Sequence, residues 1–196
     1  MRQMNIRTMS IAAALAISSL TMVACTTTQS GVNDAPSMDS ATINSRATAS
    51  LERLYQSVPG SQELVNKAAG VLIFPSVIGG SFVVGAEHGR GVLRVGGRDK
   101  GYYTTTAASI GWQAGGQSRA IIYVFNTQAA LNDFLNSDGF SVGGEASVSI
   151  GRVGVNGSLD TTTATTPVTS FVLTNVGLQG GVSLQGAQIS PLKMNE

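Results

Sequence analysis

The sequence predicts an α+β fold, predominantly antiparallel β, arranged as a strongly twisted sheet or partial barrel with short N-terminal helices and one inserted helix. Three observations predict it. Apolar residues recur every three or four positions as far as Val58, and every second position from Val71 onward. The β-like runs are separated by short glycine-containing stretches, which favours nearest-neighbour antiparallel pairing. The chain carries 24 glycines and only 12% charged residues, so it is either buried to an unusual degree or built from closely packed small residues. No period of three runs through the glycines, so they belong to turns, bulges and close strand contacts.

The N-terminus is organised differently. Arg2 and Arg7 form a basic head, Met9 to Val23 is a run of small and apolar residues, and Met22-Val23-Ala24-Cys25 closes it. This is the layout of a secretory signal peptide over residues 1–24. Cys25 is the only cysteine and stands at the first mature position, which is similar to a bacterial lipoprotein signal. A lone thiol in an oxidising compartment has no disulfide partner, so lipidation of Cys25 accounts for it better than a free thiol. Each buried methylene contributes about 0.8 kcal/mol, so two or three fatty chains such as palmitate would hold the protein on a bilayer unaided. A membrane-spanning helix needs about 20 apolar residues, and Ser18, Ser19 and Thr21 thin this run further. Residues 25–40 then read as the acylated cysteine and a flexible tether, rich in Thr, Ser, Asn, Asp, Gly and Pro.

Residues 41–196 read as one domain, large enough to bury a core without disulfides. Ile43, Ala47, Leu51, Leu54 and Val58 make a helical stripe that Pro59-Gly60 stops. Ser61 is placed to cap a second short helix through Leu64, Val65 and Ala68, ended by Gly70. Val71 to Phe74 is an apolar strand stopped by Pro75. Phe82, Val84 and Ala86 alternate with their neighbours, Gly89-Arg90-Gly91 reads as a turn, and Val92 to Val95 follows. Gly96 to Gly101 reads as a polar loop. Tyr102 to Ala114 alternates cleanly, Gly115-Gly116 turns the chain, and Ala120 to Phe125 is apolar throughout, as in a central strand. Thr127 caps a helix whose buried stripe is Leu131, Phe134 and Leu135, ended by Asp138-Gly139. Phe140 to Ile150 alternates again, and a register flip at Gly151-Arg152 predicts a β-bulge. A Thr-rich loop leads to a final hairpin of Val168–Leu173 and Leu178–Ile189. The count is about eight strands.

Composition and motifs exclude several functions. Formal net charge is +1, far from the basic excess that nucleic acid demands. Ala107 to Gly111 is a relaxed nucleophile elbow around Ser109, but the sole histidine, His88, precedes it, and the segment alternates like a plain strand. One histidine and one acylated cysteine do not make a usual transition-metal site, and no P-loop or dinucleotide fingerprint is present. No enzyme activity, cofactor or metal is therefore expected. His88 reads as a turn residue beside Glu87. The basic residues Arg90, Arg94, Arg98 and Lys100 cluster around one hairpin and are the candidate ligands for lipid head groups, with Glu87 and Asp99 diluting the patch. The helix from Ile43 to Val58 either covers the sheet or lies on a membrane. The double glycines serve packing or, alternatively, open an acyl-chain groove.

The segment Lys67-Ala-Ala-Gly-Val-Leu-Ile-Phe-Pro-Ser-Val-Ile-Gly-Gly-Ser-Phe-Val-Val-Gly-Ala-Glu-His-Gly-Arg-Gly-Val-Leu93 resembles the opening of the SYLF lipid-binding domain. Ser109 to Ser118, Phe140 to Gly151 and Gly177 to Gly186 resemble three further pieces of that family in the right order. The resemblance implies a non-enzymatic domain that binds membrane lipid, phosphoinositide in many eukaryotic members, some of which also bind actin. Bacterial members look like envelope lipoproteins. Gly79 stands where the family often has lysine, and Gln185 where it often has glutamate. The expected function is a lipid-anchored envelope protein whose domain binds or organises membrane lipid. The alternative is a structural lipoprotein docking another envelope protein. Thr26 after the cysteine, rather than aspartate, predicts sorting to the periplasmic face of the outer membrane.

Overall fold

The computed structural model describes residues 39–80, 84–110, 117–137, 140–142, 148–151, 159, 165–179, 184 and 186–194. The signal segment, Cys25 and most of the tether lie outside these residues, as do Gly115-Gly116, Asp138-Gly139, Arg152 and most of the Thr-rich loop.

Asp39 starts α1 (Ser40–Ser57) by accepting a hydrogen bond from the Thr42 amide at 2.8 Å. Hydrogen bonds from the Thr42 side chain and then from its amide hold the Asp39 carboxyl below its usual range. α1 buries Ile43, Ala47, Leu51 and Leu54, the stripe read from the sequence. Gly60, at φ 87°, turns the chain into α2 (Ser61–Lys67). Ser61 is the first helical residue rather than the cap. It is fully buried, and its hydroxyl donates to the Leu54 carbonyl at 3.2 Å, tying the two helices together. The helix ends at Lys67, and Gly70 already belongs to the first strand.

Nine strands form one sheet among the described residues: β1 (Gly70–Gly80), β2 (Val84–Val95), β3 (Arg98–Ile110), β4 (Gln117–Phe125), β5 (Phe140–Ser141), β6 (Val148–Ile150), β7 (Val168–Thr174), β8 (Gly177–Leu178) and β9 (Gln188–Leu192). Their order is β5-β9-β3-β2-β1-β4-β7-β6, with β8 added beside β7. The sheet curls into a half-barrel. Phe140 on one terminal strand and Val148 on the other join a single apolar cluster, which requires the sheet to wrap around it.

Several expectations are corrected here. Pro75 does not stop β1. The strand runs through it, with register shifts between Ile73 and Ser76 against β2 and between Phe74 and Val77 against β4. Proline has no N–H to give the ladder, and a bulge leaves such a residue unmatched. Gly89-Arg90-Gly91 is no turn but the middle of β2. Gly91 faces the bulge, where a Cβ would collide with the Ile73 carbonyl and sit 2.6 Å from the Phe74 ring. Glycine is required there by close approach, not by φ. The loop at Gly96 to Gly101 shrinks to Gly96-Gly97, at φ 57° and 76°, the signature of a two-residue turn of the primed kind. The final hairpin forms only at its turn. β8 pairs with β7 across Asn175-Val176, whereas β9 crosses to β3 and β5. β6 pairs with β7 in parallel, the exception to antiparallel pairing among the described residues.

Each face of the sheet carries its own core. On the concave side Leu72, Phe74, Ile121, Tyr123, Phe125 and Val172 meet α3 (Gln128–Asn136) through Leu131 and Phe134. Thr127 caps α3 as expected, accepting from the Ala130 amide at 3.2 Å, but Leu135 is 38% exposed and leaves the buried stripe. On the convex side Val71, Ile73, Val92, Ile122, Val124 and Phe171 meet α1. Ala120–Phe125 is buried on both faces because β4 lies between β1 and β7 with a helix layer on either side.

Candidate functional site

The hairpin of β2 and β3 carries the basic residues that the sequence singles out, and the fold divides them into three environments. The pairing shifts between Leu93 and Arg94, where Leu93 opposes Gly101 and Arg94 opposes Asp99, so Lys100 is the extra residue of a bulge just before the turn.

Arg94 is used inside the domain. Its Nε lies 3.0 Å from the Asp99 carboxylate, and its two terminal nitrogens donate to Thr48 Oγ1 and the Asn44 carbonyl, each at 3.1 Å. Tyr102 reinforces the contact by accepting from Asn44 Nδ2 at 3.0 Å. Arg94 thus clamps the first turns of α1 to the hairpin. Its charge also acts on the half-buried Tyr55, whose hydroxyl pKa burial raises and Arg94 partly lowers.

Arg98 and Lys100 are exposed at the tip of the hairpin and form no ion pair among the described residues. The β3–β9 register sets Leu192 opposite Tyr102, so the following residue, the exposed Lys193, comes alongside Gly101. Sequence reasoning missed Lys193. It stands far from the hairpin in the chain, and only the crossing of β9 to β3 brings it there.

Arg90 is separate from both groups. Four steps along the strand, about 13 Å at 3.3 Å per residue, separate it from Arg94. It pairs with Ser76 of β1 and Thr104 of β3 and is partly exposed on the convex face. His88, two residues away on the same face, is exposed in mid-strand rather than in a turn. Glu87 does not dilute this patch, because it points to the concave side and forms an ion pair with Arg119.

Two other membrane contacts are decided by packing. The apolar stripe of α1 is buried against the sheet, so this face of the helix is not available to a bilayer. The in-strand glycines do not open a groove where they are described. A Cβ at Gly79 would lie 2.9 Å from Glu87 Cγ, one at Gly89 2.8 Å from Val77 Cγ2, and one at Gly70 2.9 Å from Leu131 Cδ1. Among the described residues no helix is long and apolar enough to cross a membrane, and no cluster of three metal-ligating side chains occurs.

No curated protein matches this chain. Residues 106–195, from the second half of β3 to the C-terminus, match the family described as Ysc84, Las17-binding protein actin regulator, the SYLF-type domain that the sequence motifs resemble.

Proposed function

We propose that this chain is a non-enzymatic, lipid-anchored protein of the cell envelope whose SYLF-like domain binds or organises membrane lipid. The observation that carries the reading is the corner formed by Arg98, Lys100 and Lys193, three exposed cations that the fold gathers and leaves without carboxylate partners among the described residues. The family match over residues 106–195 supports it, since that domain type is associated with lipid. The actin role in the family's description is not carried over, because the N-terminal residues read as an export signal.

Magnitudes assign the two halves different tasks. A basic residue at an anionic surface contributes about 1 kcal/mol, so three contribute about 3 kcal/mol, too little to hold a free domain on a membrane. Acyl chains on Cys25 supply the anchorage, and the domain supplies orientation and choice of lipid. Thr26 directs the anchored protein to the outer membrane.

Co-sedimentation with vesicles tests the reading, using the chain freed of its first 24 residues and carrying Cys25→Ser. Binding to anionic vesicles that fades with salt, and that is lost in Arg98→Ala/Lys100→Ala/Lys193→Ala, is the expected result. Indifference to every vesicle would remove the lipid-binding half and favour docking onto another envelope protein, which cross-linking in the envelope would then reveal. Membrane fractionation checks the location, and recovery in the inner membrane would refute the sorting.

A further inference from the structure

The α1 layer ends at the row of the sheet formed by Ile73, Val92 and Tyr102, and the next two rows of the convex face have a different character. In the first, Ser76, Arg90 and Thr104 stand in register on β1, β2 and β3. In the second, Ile78, His88 and Thr106 stand in register, and Ser118 of β4 adds its hydroxyl, 2.9 Å from that of Ser76. Directly paired residues carry their Cβ atoms about 5 Å apart on one face, and neighbouring rows repeat at about 7 Å. Arg90 is therefore flanked by Ser76 and Thr104 on the adjacent strands, with an imidazole one row away. The Thr104 hydroxyl donates to the Ser190 carbonyl at 3.4 Å, whereas the Ser76 hydroxyl can accept from Ser118 and keep its own proton for a ligand.

The electrostatics are one-sided. Asp99 is the one carboxylate on this face of β1–β4 and β9 among the described residues, and Arg94 holds it at the far end of the hairpin. Glu87 is on the opposite face, paired with Arg119. Arg90 and His88 form no ion pair among the described residues.

We infer that Arg90, His88 and Ser76 form a site for a phosphate group, with phosphomonoesters as the ligand class. The choice of phosphate over carboxylate follows from the number of acceptors. A guanidinium engages two oxygens side by side, which uses up a planar carboxylate. A tetrahedral phosphate keeps further oxygens for the Ser76 hydroxyl and for the imidazole. The site is open to solvent, so affinity for free phosphate is low. It rises when the ligand is held in a membrane to which the chain is also anchored, because the second contact becomes intramolecular. In that form the inference deepens the proposed function and rests on it, although the site itself does not.

The test uses the full-length chain in non-ionic micelles, titrated with inorganic phosphate and followed through the side-chain NMR signals of His88 and Arg90. Saturable shifts confined to these residues and the backbone of Ser76 and Thr104 are expected. Arg90→Ala should weaken them about tenfold or more, the loss of a charged donor. Arg90→Gln preserves more of the packed stem and guards against a folding defect, with unchanged α1 signals as the control. Vesicles of phosphatidylcholine, with or without phosphatidic acid, then separate the sources. If Arg90→Gln reduces retention on phosphatidic acid, the phosphate is lipid-borne. If phosphate shifts His88 and Arg90 but retention is independent of Arg90, the site serves a soluble phosphate. Absence of shifts overturns the site even if vesicle binding through Arg98 and Lys100 persists. Shifts without any vesicle binding uphold the site and overturn the lipid reading instead.

Discussion

The Glu87 carboxylate on β2 reaches the Arg119 guanidinium on β4 by passing over β1 at Gly79, the residue opposite Glu87 in the ladder. The pair lies on the concave face, with the two side chains 12% and 22% exposed. Gly79 leaves the room that the Glu87 stem occupies, 2.9 Å from where a Cβ would be. The position where the family often carries lysine is thus, in this chain, the gap under a cross-strand ion pair.

Removing one partner leaves a charge with little access to water. Glu87→Gln is expected to cost about 3 kcal/mol, the low end for breaking a buried pair. Arg119→Met in the same background should recover part of it. Urea denaturation of the four species of this cycle measures the coupling, and additive losses would show that the two groups do not depend on each other.

Gly91 and Gly96 should respond differently to alanine. At Gly91 the new methyl meets the Ile73 carbonyl and the Phe74 ring, both in the folded core, and overpacking of this kind costs about 3 kcal/mol. At Gly96 nothing lies within 4 Å, so the only cost of Gly96→Ala is the positive φ of 57°, about 1 kcal/mol. Gly96→Asn should be nearly neutral, since asparagine suits the first position of this turn. Melting temperatures of the three variants settle the order.

Arg94 and the hairpin tip separate stability from binding. Arg94→Ala removes the Asp99 pair and both hydrogen bonds to α1, and is expected to destabilise the domain by about 2 kcal/mol. Hydrogen exchange in the first turns of α1 should quicken. Arg98→Ala/Lys100→Ala should leave the melting temperature within the range of ordinary surface changes and alter vesicle binding alone. A reversed pattern would show that Arg94 is the lipid contact.

Tyr123 is buried on the concave face, and its hydroxyl has no hydrogen-bond partner among the described residues. Burial raises its pKa far above the ordinary tyrosine value, against a smaller opposing effect of Arg119. Since the folded pKa exceeds the unfolded one, the contribution is complete below about pH 10 and is lost as pH rises beyond it, because only the unfolded chain then releases the proton. Tyr123→Phe removes the orphaned hydroxyl. It should raise stability by about 1 kcal/mol at neutral pH and flatten the alkaline fall in stability. A destabilised Tyr123→Phe would mean that the hydroxyl has a partner.

What the sequence determined by itself is what depends on neighbours along the chain. The stripe of α1, the Thr127 cap, the double-sided burial of Ala120–Phe125 and the change of period at Val71 all follow from spacing over a few residues. So does the alternation that sends Tyr102 to the α1 side and Tyr103 to the α3 side. Tertiary structure decided whatever depends on a partner far away in the chain. Pro75 and Gly91 look like breakers, yet they share one continuous ladder because a bulge in β1 absorbs the proline and the glycine opposite admits the bulge. Arg94 looks like its basic neighbours until α1 supplies the acceptors of Thr48 and Asn44. Lys193 joins the hairpin, and Arg90 leaves it, because register places side chains on a face and beside a neighbour that no local pattern names. Closure of the sheet sets that register, and closure is a property of all the strands together.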